Sequence, residues 1–219
     1  MGVTVIPHVS SFDAELRHGY GTDYPIFDGH WLRVDIPLLE RADTYVLYTD
    51  IDVMFLGPPQ IRHWPRLLAA APQDERGETR YFNSGVMVLN LPALRRHHAA
   101  FVGQIRARLR HGFHYPAHDQ ESYNRFFAPS WRNRLRRRVV TPLAEVNNWK
   151  PYWGLNPEAQ IVHFHGPKAR DIRVFEQGGG QANQRHLLDL WNRDKFAYGQ
   201  YASQWEEFSK QASMAVPDL

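Results

Sequence analysis

Asp50 and Asp52 stand two positions apart in the apolar run TYVLYTDIDVMF, residues 44–55. In an extended segment alternate side chains share a face, so the two carboxylates converge while Ile51 points away. Two acids at the end of a hydrophobic run repel one another and are poorly solvated unless a cation neutralises them. Hard oxygen ligands suit magnesium or manganese, ions that proteins commonly share with substrate phosphates. The pair therefore points to a divalent metal and a phosphate ester. The competing reading is structural: one acid caps a turn and the other makes a surface ion pair. A lone DxD does not choose between them.

The same letters serve a second chemistry. In haloacid-dehalogenase-type phosphatases a strand ends in DxDx followed by Thr or Val, with the first Asp as nucleophile. Met54 occupies that fifth position here, and Lys168 with Asp171 imitates the downstream basic and acidic pair only loosely. A carboxylate nucleophile beside magnesium stays open as the runner-up.

The elements that must position these residues follow from the pattern. Val3–Ile6 reads as a short strand and Ser10–Gly29 as an irregular loop. Trp31–Leu39 is helical. Tyr45–Tyr48 and Val53–Leu56 form one buried strand whose exposed end carries the acids, bounded by Gly57-Pro58-Pro59. Leu67–Ala71 and Tyr81–Leu91 are further strands, the second interrupted by Asn83, Ser84 and Gly85. Pro92 fits the first turn of a helix reaching about Arg110, and His118–Phe127 forms another. Gln160–Phe164 is a strand running into His165-Gly166-Pro167-Lys168. Gly178-Gly179-Gly180 marks a joint before a helical stretch over Gln184–Ser213, whose aromatic face packs on its own domain. The expectation is an α/β fold with a mixed, mostly parallel sheet flanked by helices.

Composition agrees with one globular domain. The chain has 219 residues, 43% hydrophobic, 13% aromatic and 22% charged, enough to bury about 70% of its unfolded-state surface. With no cysteine, thiol nucleophiles, disulfides and Cys-based zinc sites are excluded. No run of roughly 18 apolar residues occurs, and the first residues lack a secretory pattern, so the expected location is cytoplasmic, with peripheral membrane contact. The formal net charge is +3. Its excess lies in Arg132–Arg138, RNRLRRR, read as a solvated segment in preference to a phosphate-binding one. No nucleic-acid partner is expected, because neither a reader module nor interleaved stacking aromatics accompany the run.

Four strings in order resemble glycosyltransferase family 8, retaining enzymes of GT-A fold that include glycogenin and bacterial lipopolysaccharide galactosyl- and glucosyltransferases. VLYTDIDVMF resembles the family's DxD strand, YFNSGVMVLNL its F-N-[AS]-G string, HDQESYN its D-Q-x-x-x-N string, and VHFHGPK its terminal His, Gly and Lys element. The resemblance implies a GT-A-like domain over residues 1–180, and the helical pattern adds 181–219 as an extension packed on it. It implies transfer of a hexose from a UDP-sugar to a glycan, lipid-linked or protein acceptor, with retention, using Mn2+ or Mg2+. A non-catalytic nucleotide-sugar-binding scaffold is a further alternative.

Carried across on the same resemblance, Asp50 touches the ribose or the metal, Asp52 ligates the metal, and His163 is the third protein ligand. Gly166 lets the backbone approach the diphosphate, and Lys168 neutralises phosphate charge. Asn83 and Gly85 lie beside the donor sugar, Asp119 and Gln120 near the reacting carbon, and Arg33 contacts the donor. Asp119 has a plainer role open to it, as an acid in a helix's first turn stabilised by the dipole. The family's opening strand–helix unit, which holds the nucleotide base, has no counterpart before Val3, so an incomplete nucleotide pocket is expected.

Overall fold

The computed structural model describes residues 3–77, 80–111, 113, 118–127, 140–180 and 184–215. The arginine run Arg132–Arg138 lies outside them. The chain divides into two compact units, Met1–Tyr48 with His63–Gln73 and Gly77–Pro142, and Thr49–Arg62 with Asp74–Arg76 and Leu143–Leu219.

In the first unit a four-stranded sheet has the order β1 (Tyr45–Thr49), β4 (Phe82–Asn90), β3 (Leu68–Pro72), β5 (Thr141–Pro142). β4 is central because it can be: every residue from Phe82 to Leu89 is buried, as a near-continuous apolar run with small polar insertions demands. β3 pairs with it antiparallel, Leu68 opposite Leu89, with an irregularity between Ala70 and Pro72 where proline removes a ladder donor. β3 and β5 are parallel. The sheet is mixed, as expected, although parallel pairing holds a smaller share of these registers than anticipated.

Helix α4 (Leu91–His111) follows β4 directly. It buries Leu94, Phe101, Val102 and Ile105, a stripe at helical spacing. Helix α5 (His118–Phe127) buries nearly its whole length. Asn124 ties it to β4, accepting from Phe82 N and donating to Phe82 O, both at 2.8 Å.

The N-terminal expectations need correcting. Val3–Ile6 is not a strand, and Ser10–Gly29 contains helices α1 (Asp13–Tyr20) and α2 (Tyr24–Trp31) joined by a 3-10 turn. Helix α3 (Ile36–Leu39) follows another 3-10 turn, Leu32–Asp35. Gly, Asp and His between the apolar residues hid the periodicity. Tertiary burial of Phe12, Leu16 and Trp31, each at most 1% exposed, restores it, with Phe12 and Trp31 packed edge to face at 5.8 Å.

Asp35 anchors this segment. It is fully buried and accepts from Ser11 N at 2.6 Å and Ser11 Oγ at 2.8 Å, with His8 Nε2 at 2.9 Å and His98 Nε2 at 2.7 Å. Burial pushes its pKa up, but the bonds from His98, Ser11 and His8 outweigh that and hold it well below the usual carboxylate range. A lowered folded pKa contributes stability that is complete above the unfolded value of about 3.9 and drains away as pH falls towards the folded one. Asp35→Asn is therefore expected to cost on the order of 2–3 kcal/mol at pH 7. Urea midpoints should show the gap from the unsubstituted protein steady between pH 7 and about pH 4 and narrowing below that.

The second unit is built on a two-stranded antiparallel sheet, β2 (Val53–Phe55) with β6 (Ile161–His163). Helices α6 (Ala169–Glu176), α7 (Arg185–Arg193) and α8 (Lys195–Ala215) complete it. Its core joins Met54, Trp149, Val162, Phe164 and Ile172 to Ala197, Tyr198, Tyr201 and Ala202 of α8. The expected helix over 184–213 is broken at Asp194, whose Oδ1 accepts the Ala197 N–H at 2.9 Å, an N-cap that starts α8. Among the described residues no helix is long and apolar enough to cross a membrane.

Candidate functional site

The run expected as one strand is two. β1 ends at Thr49 and β2 begins at Val53, in different sheets, and Asp50 to Asp52 form the bend between them. Ile51 is wholly exposed there. Convergence of the carboxylates thus comes from the bend and from strand pairing, with no role for extended alternation. Val53 pairs with His163, and Phe164 N donates to Asp52 O at 3.0 Å, which continues the ladder and sets Asp52 beside His163. One ligand atom from each of Asp50, Asp52 and His163 lies within 4.8 Å of the others.

His163 is 3% exposed and held from both sides. Its N–H donates to Trp149 O at 2.8 Å, and Nδ1 lies 3.1 Å from Asn148 Oδ1. With that amide oxygen accepting from Nδ1, Nε2 faces Asp52 Oδ1 at 3.4 Å, either as an N–H or as a lone pair. Asp52 Oδ1 is buried and makes no hydrogen bond. A carboxylate oxygen and an imidazole nitrogen turned towards each other without a bond suit a divalent cation, and Asn148 is the outer partner that such a histidine ligand needs. Asp50, Asp52 and His163 fit magnesium or manganese on these grounds.

The other oxygen of Asp52 accepts from Lys168 Nζ, which also donates to Phe164 O at 3.0 Å. Burial pushes the Asp52 pKa up. The close His163 ring, with the Lys168 ammonium and its hydrogen bond, overcomes it and holds the carboxyl well below its ordinary range. Lys168 sits at the start of α6, its N–H accepted by Asp171 Oδ2 at 2.9 Å, so Asp171 is used in capping. Neighbouring His165 is pushed down by burial and by the nearby His163, Lys150 and Lys168 charges.

Gly166 has a reason to be glycine that is local to this unit. Its φ is +92°, and a Cβ there would stand 2.5 Å from Leu190 Cδ1. Gly166→Ala is expected to cost about 1–3 kcal/mol through strain, and a thermal melt should show it as a fall of roughly 2–4 °C per kcal/mol. Adding Leu190→Ala should relieve the contact part and leave the backbone part.

The remaining predicted residues gather in the first unit. Arg33 is buried and donates from Nη1 to Ser84 O at 2.8 Å and Ser84 Oγ at 3.2 Å. Its Nη2 lies 3.1 Å from Asp119 Oδ2, and its guanidinium stacks 4.8 Å from the Tyr48 ring centroid. Gln120 Oε1 accepts from Ser84 N at 2.9 Å and Asn83 Nδ2 at 3.2 Å. Gln73 Oε1 accepts from Asn83 at 2.8 Å and Gln120 at 3.0 Å. Gly85, buried in β4, donates its N–H to Asn83 Oδ1 at 3.0 Å. Arg33, Asn83, Gly85, Asp119 and Gln120 thus share one polar network on β4 and the first turn of α5. Asp119 is placed by Arg33 as well as by the helix dipole.

The structure accordingly sorts the predicted residues into two groups: Asp50, Asp52, His163, Gly166 and Lys168 in the second unit, and the Arg33 network in the first. Sequence reasoning missed Asn148, Ser84, Gln73 and Tyr48. Ser84 stood inside the quoted string and Tyr48 two residues before the first acid. Asn148 and Gln73 carried no signal, because their partners are distant in sequence.

No protein-family model and no curated protein matches the sequence. Among solved structures the chain is similar to the glycosyltransferase GlyE of Streptococcus pneumoniae TIGR4, at 17% identity and a TM-score of 0.48, covering 82% of this chain and 46% of that one. An active-site mutant of LgtC is similar at 17% identity and TM-score 0.43, covering 74% and 65%. Mouse xyloside xylosyltransferase 1 is similar at 15% and 0.45, covering 68% and 70%. The chain therefore spans less than half of the GlyE chain and 65% of that LgtC mutant chain. Likeness at this level is one of partial chain trace alone.

Proposed function

We propose that this chain carries the metal- and diphosphate-binding part of a retaining glycosyltransferase that moves a hexose from a UDP-sugar to a glycan, lipid-linked or protein acceptor. The observation that supports this most is the Asp50, Asp52 and His163 group, with Asp52 Oδ1 buried without a hydrogen bond and a lysine at its other oxygen. The order of the four sequence strings supports the class of reaction and retention.

Asp50, Asp52 and His163 would hold a manganese or magnesium ion, which when bound offsets charge on the leaving diphosphate. Asn148 keeps the His163 ring turned so that Nε2 serves the site. Lys168 is 43% exposed at its side chain, and on this reading its ammonium exchanges Asp52 for a phosphate oxygen. It would then stand where leaving-group charge develops, the kind of contact that strengthens in the transition state. In the first unit Arg33 fixes Asp119, and Gln73 and Ser84 fix Gln120 and Asn83. The proposed work of these residues at the donor sugar and reacting carbon asks for that kind of preorganisation. The phosphatase alternative needs an acid free beside the nucleophile, and Asp171 is engaged at the start of α6.

Purified protein incubated with Mn2+ and a panel of UDP-hexoses should release UDP from at least one of them and lose that activity in EDTA. Release from none, alongside hydrolysis of p-nitrophenyl phosphate that vanishes in Asp50→Asn, would establish the phosphatase instead. Tight binding of UDP and Mn2+ with no release from any donor would leave a binding protein.

A further inference from the structure

The second unit contains a cavity of about 630 Å3 whose lining includes none of the residues discussed above as metal or phosphate contacts. That volume lies within the roughly 300–1,000 Å3 typical of small-molecule sites. Its charged residues balance: Arg62 and Arg76 face Glu145 and Glu158, with Asn156 beside them. Arg76 Nε and Glu145 Oε2 are 2.9 Å apart, so their charges are spent largely on each other. A phosphate or nucleotide would meet as much negative as positive charge there. A purely apolar ligand would strip water from the polar wall without replacing its bonds.

The aromatic wall is fixed before any ligand arrives. Trp149 is buried, its indole N–H donated to Gly154 O at 2.7 Å, and Arg76 stacks 4.9 Å from its ring centroid. Half-buried Trp153 donates its N–H to Asp74 O at 2.8 Å, and Lys150 Nζ lies 4.3 Å from its ring centroid. Trp153 also meets Trp149 edge to face at 5.4 Å. The cavity thus joins a rigid indole to guanidinium, carboxylate and amide groups that together offer both donors and acceptors. Neutral pyranose sugars match this combination, with an apolar C–H face and a rim of hydroxyls that each donate and accept.

We propose that this cavity binds a neutral oligosaccharide through Trp153 and the Arg76–Glu145 pair, and that it does so without metal or nucleotide. Saturation-transfer difference NMR on the full chain in EDTA, with lactose, maltose, cellobiose and chitobiose as probes, tests this independently of any transferase activity. At least one disaccharide should bind, with saturation strongest on its ring C–H protons. Trp153→Leu and, separately, Arg76→Ala should each weaken it by about tenfold or more. The Arg76 side chain is largely exposed, so that variant tests the site even where the tryptophan variant folds poorly. Binding of none of the four, binding unchanged in Arg76→Ala, or preferential binding of inorganic pyrophosphate at the same residues would overturn the proposal.

Discussion

Replacing Asp52 by Asn should lower sugar transfer by about a hundredfold to a thousandfold, the range for losing one electrostatic contact at a reacting centre or the support of a metal ligand. The substitution keeps the side chain's size and removes its charge. Three groups meet that carboxylate: His163 at one oxygen, Lys168 at the other, and Asp50 in the same cluster. The neutral amide is a poor ligand for a divalent ion and removes the charge opposite Lys168, which keeps its bond to Phe164 O. The lysine is exposed enough to turn to water, so the fold should survive. The diagnostic result is therefore a large loss of turnover with an unchanged far-UV spectrum and a melting temperature lowered by no more than a few degrees, the depressed Asp52 pKa marking a stabilising charge that asparagine lacks. The sign of the pH effect follows from the depressed Asp52 pKa: ionised at neutral pH, the group should not limit activity until pH falls below the ordinary carboxylate range.

Arg33→Ala should act the other way, chiefly on stability. The guanidinium joins the Ser84 carbonyl, Ser84 Oγ, Asp119 and the Tyr48 ring in the interior. Its removal strands a carboxylate whose side chain is 7% exposed. Breaking a buried pair from one side costs about 3–5 kcal/mol, which for a chain of this size is roughly 6–20 °C of melting temperature. Lysine at this position should recover only part of the loss. A single ammonium cannot span Ser84 and Asp119 as a planar fork does. Circular dichroism melts of Arg33→Ala and Arg33→Lys check the order.

What the sequence disclosed follows a physical line. β4 and α4 were readable because their burial is continuous or periodic within one segment, and the Pro92 start of the helix is local chemistry. Helices α1 and α2 were not, since Phe12, Leu16 and Trp31 become a face only once they are buried together. Asp50 and Asp52 could be singled out from their apolar setting alone, but the geometry assumed for them was wrong. The run splits between two sheets, and a bend brings the acids to His163. That third position followed from resemblance to a family string, because antiparallel pairing across 110 residues, Val53 to His163, leaves no local mark. The same holds for Asn148, whose whole contribution is the direction in which it turns a distant ring.

The most direct test of the account is a Mn2+ titration followed by the loss of the free-ion electron paramagnetic resonance signal, with UDP present, for the unsubstituted protein and for Asp52→Asn. One equivalent of Mn2+ should bind per chain, and Asp52→Asn should abolish that binding. Binding of equal strength in the two proteins, or none in either, would contradict the account.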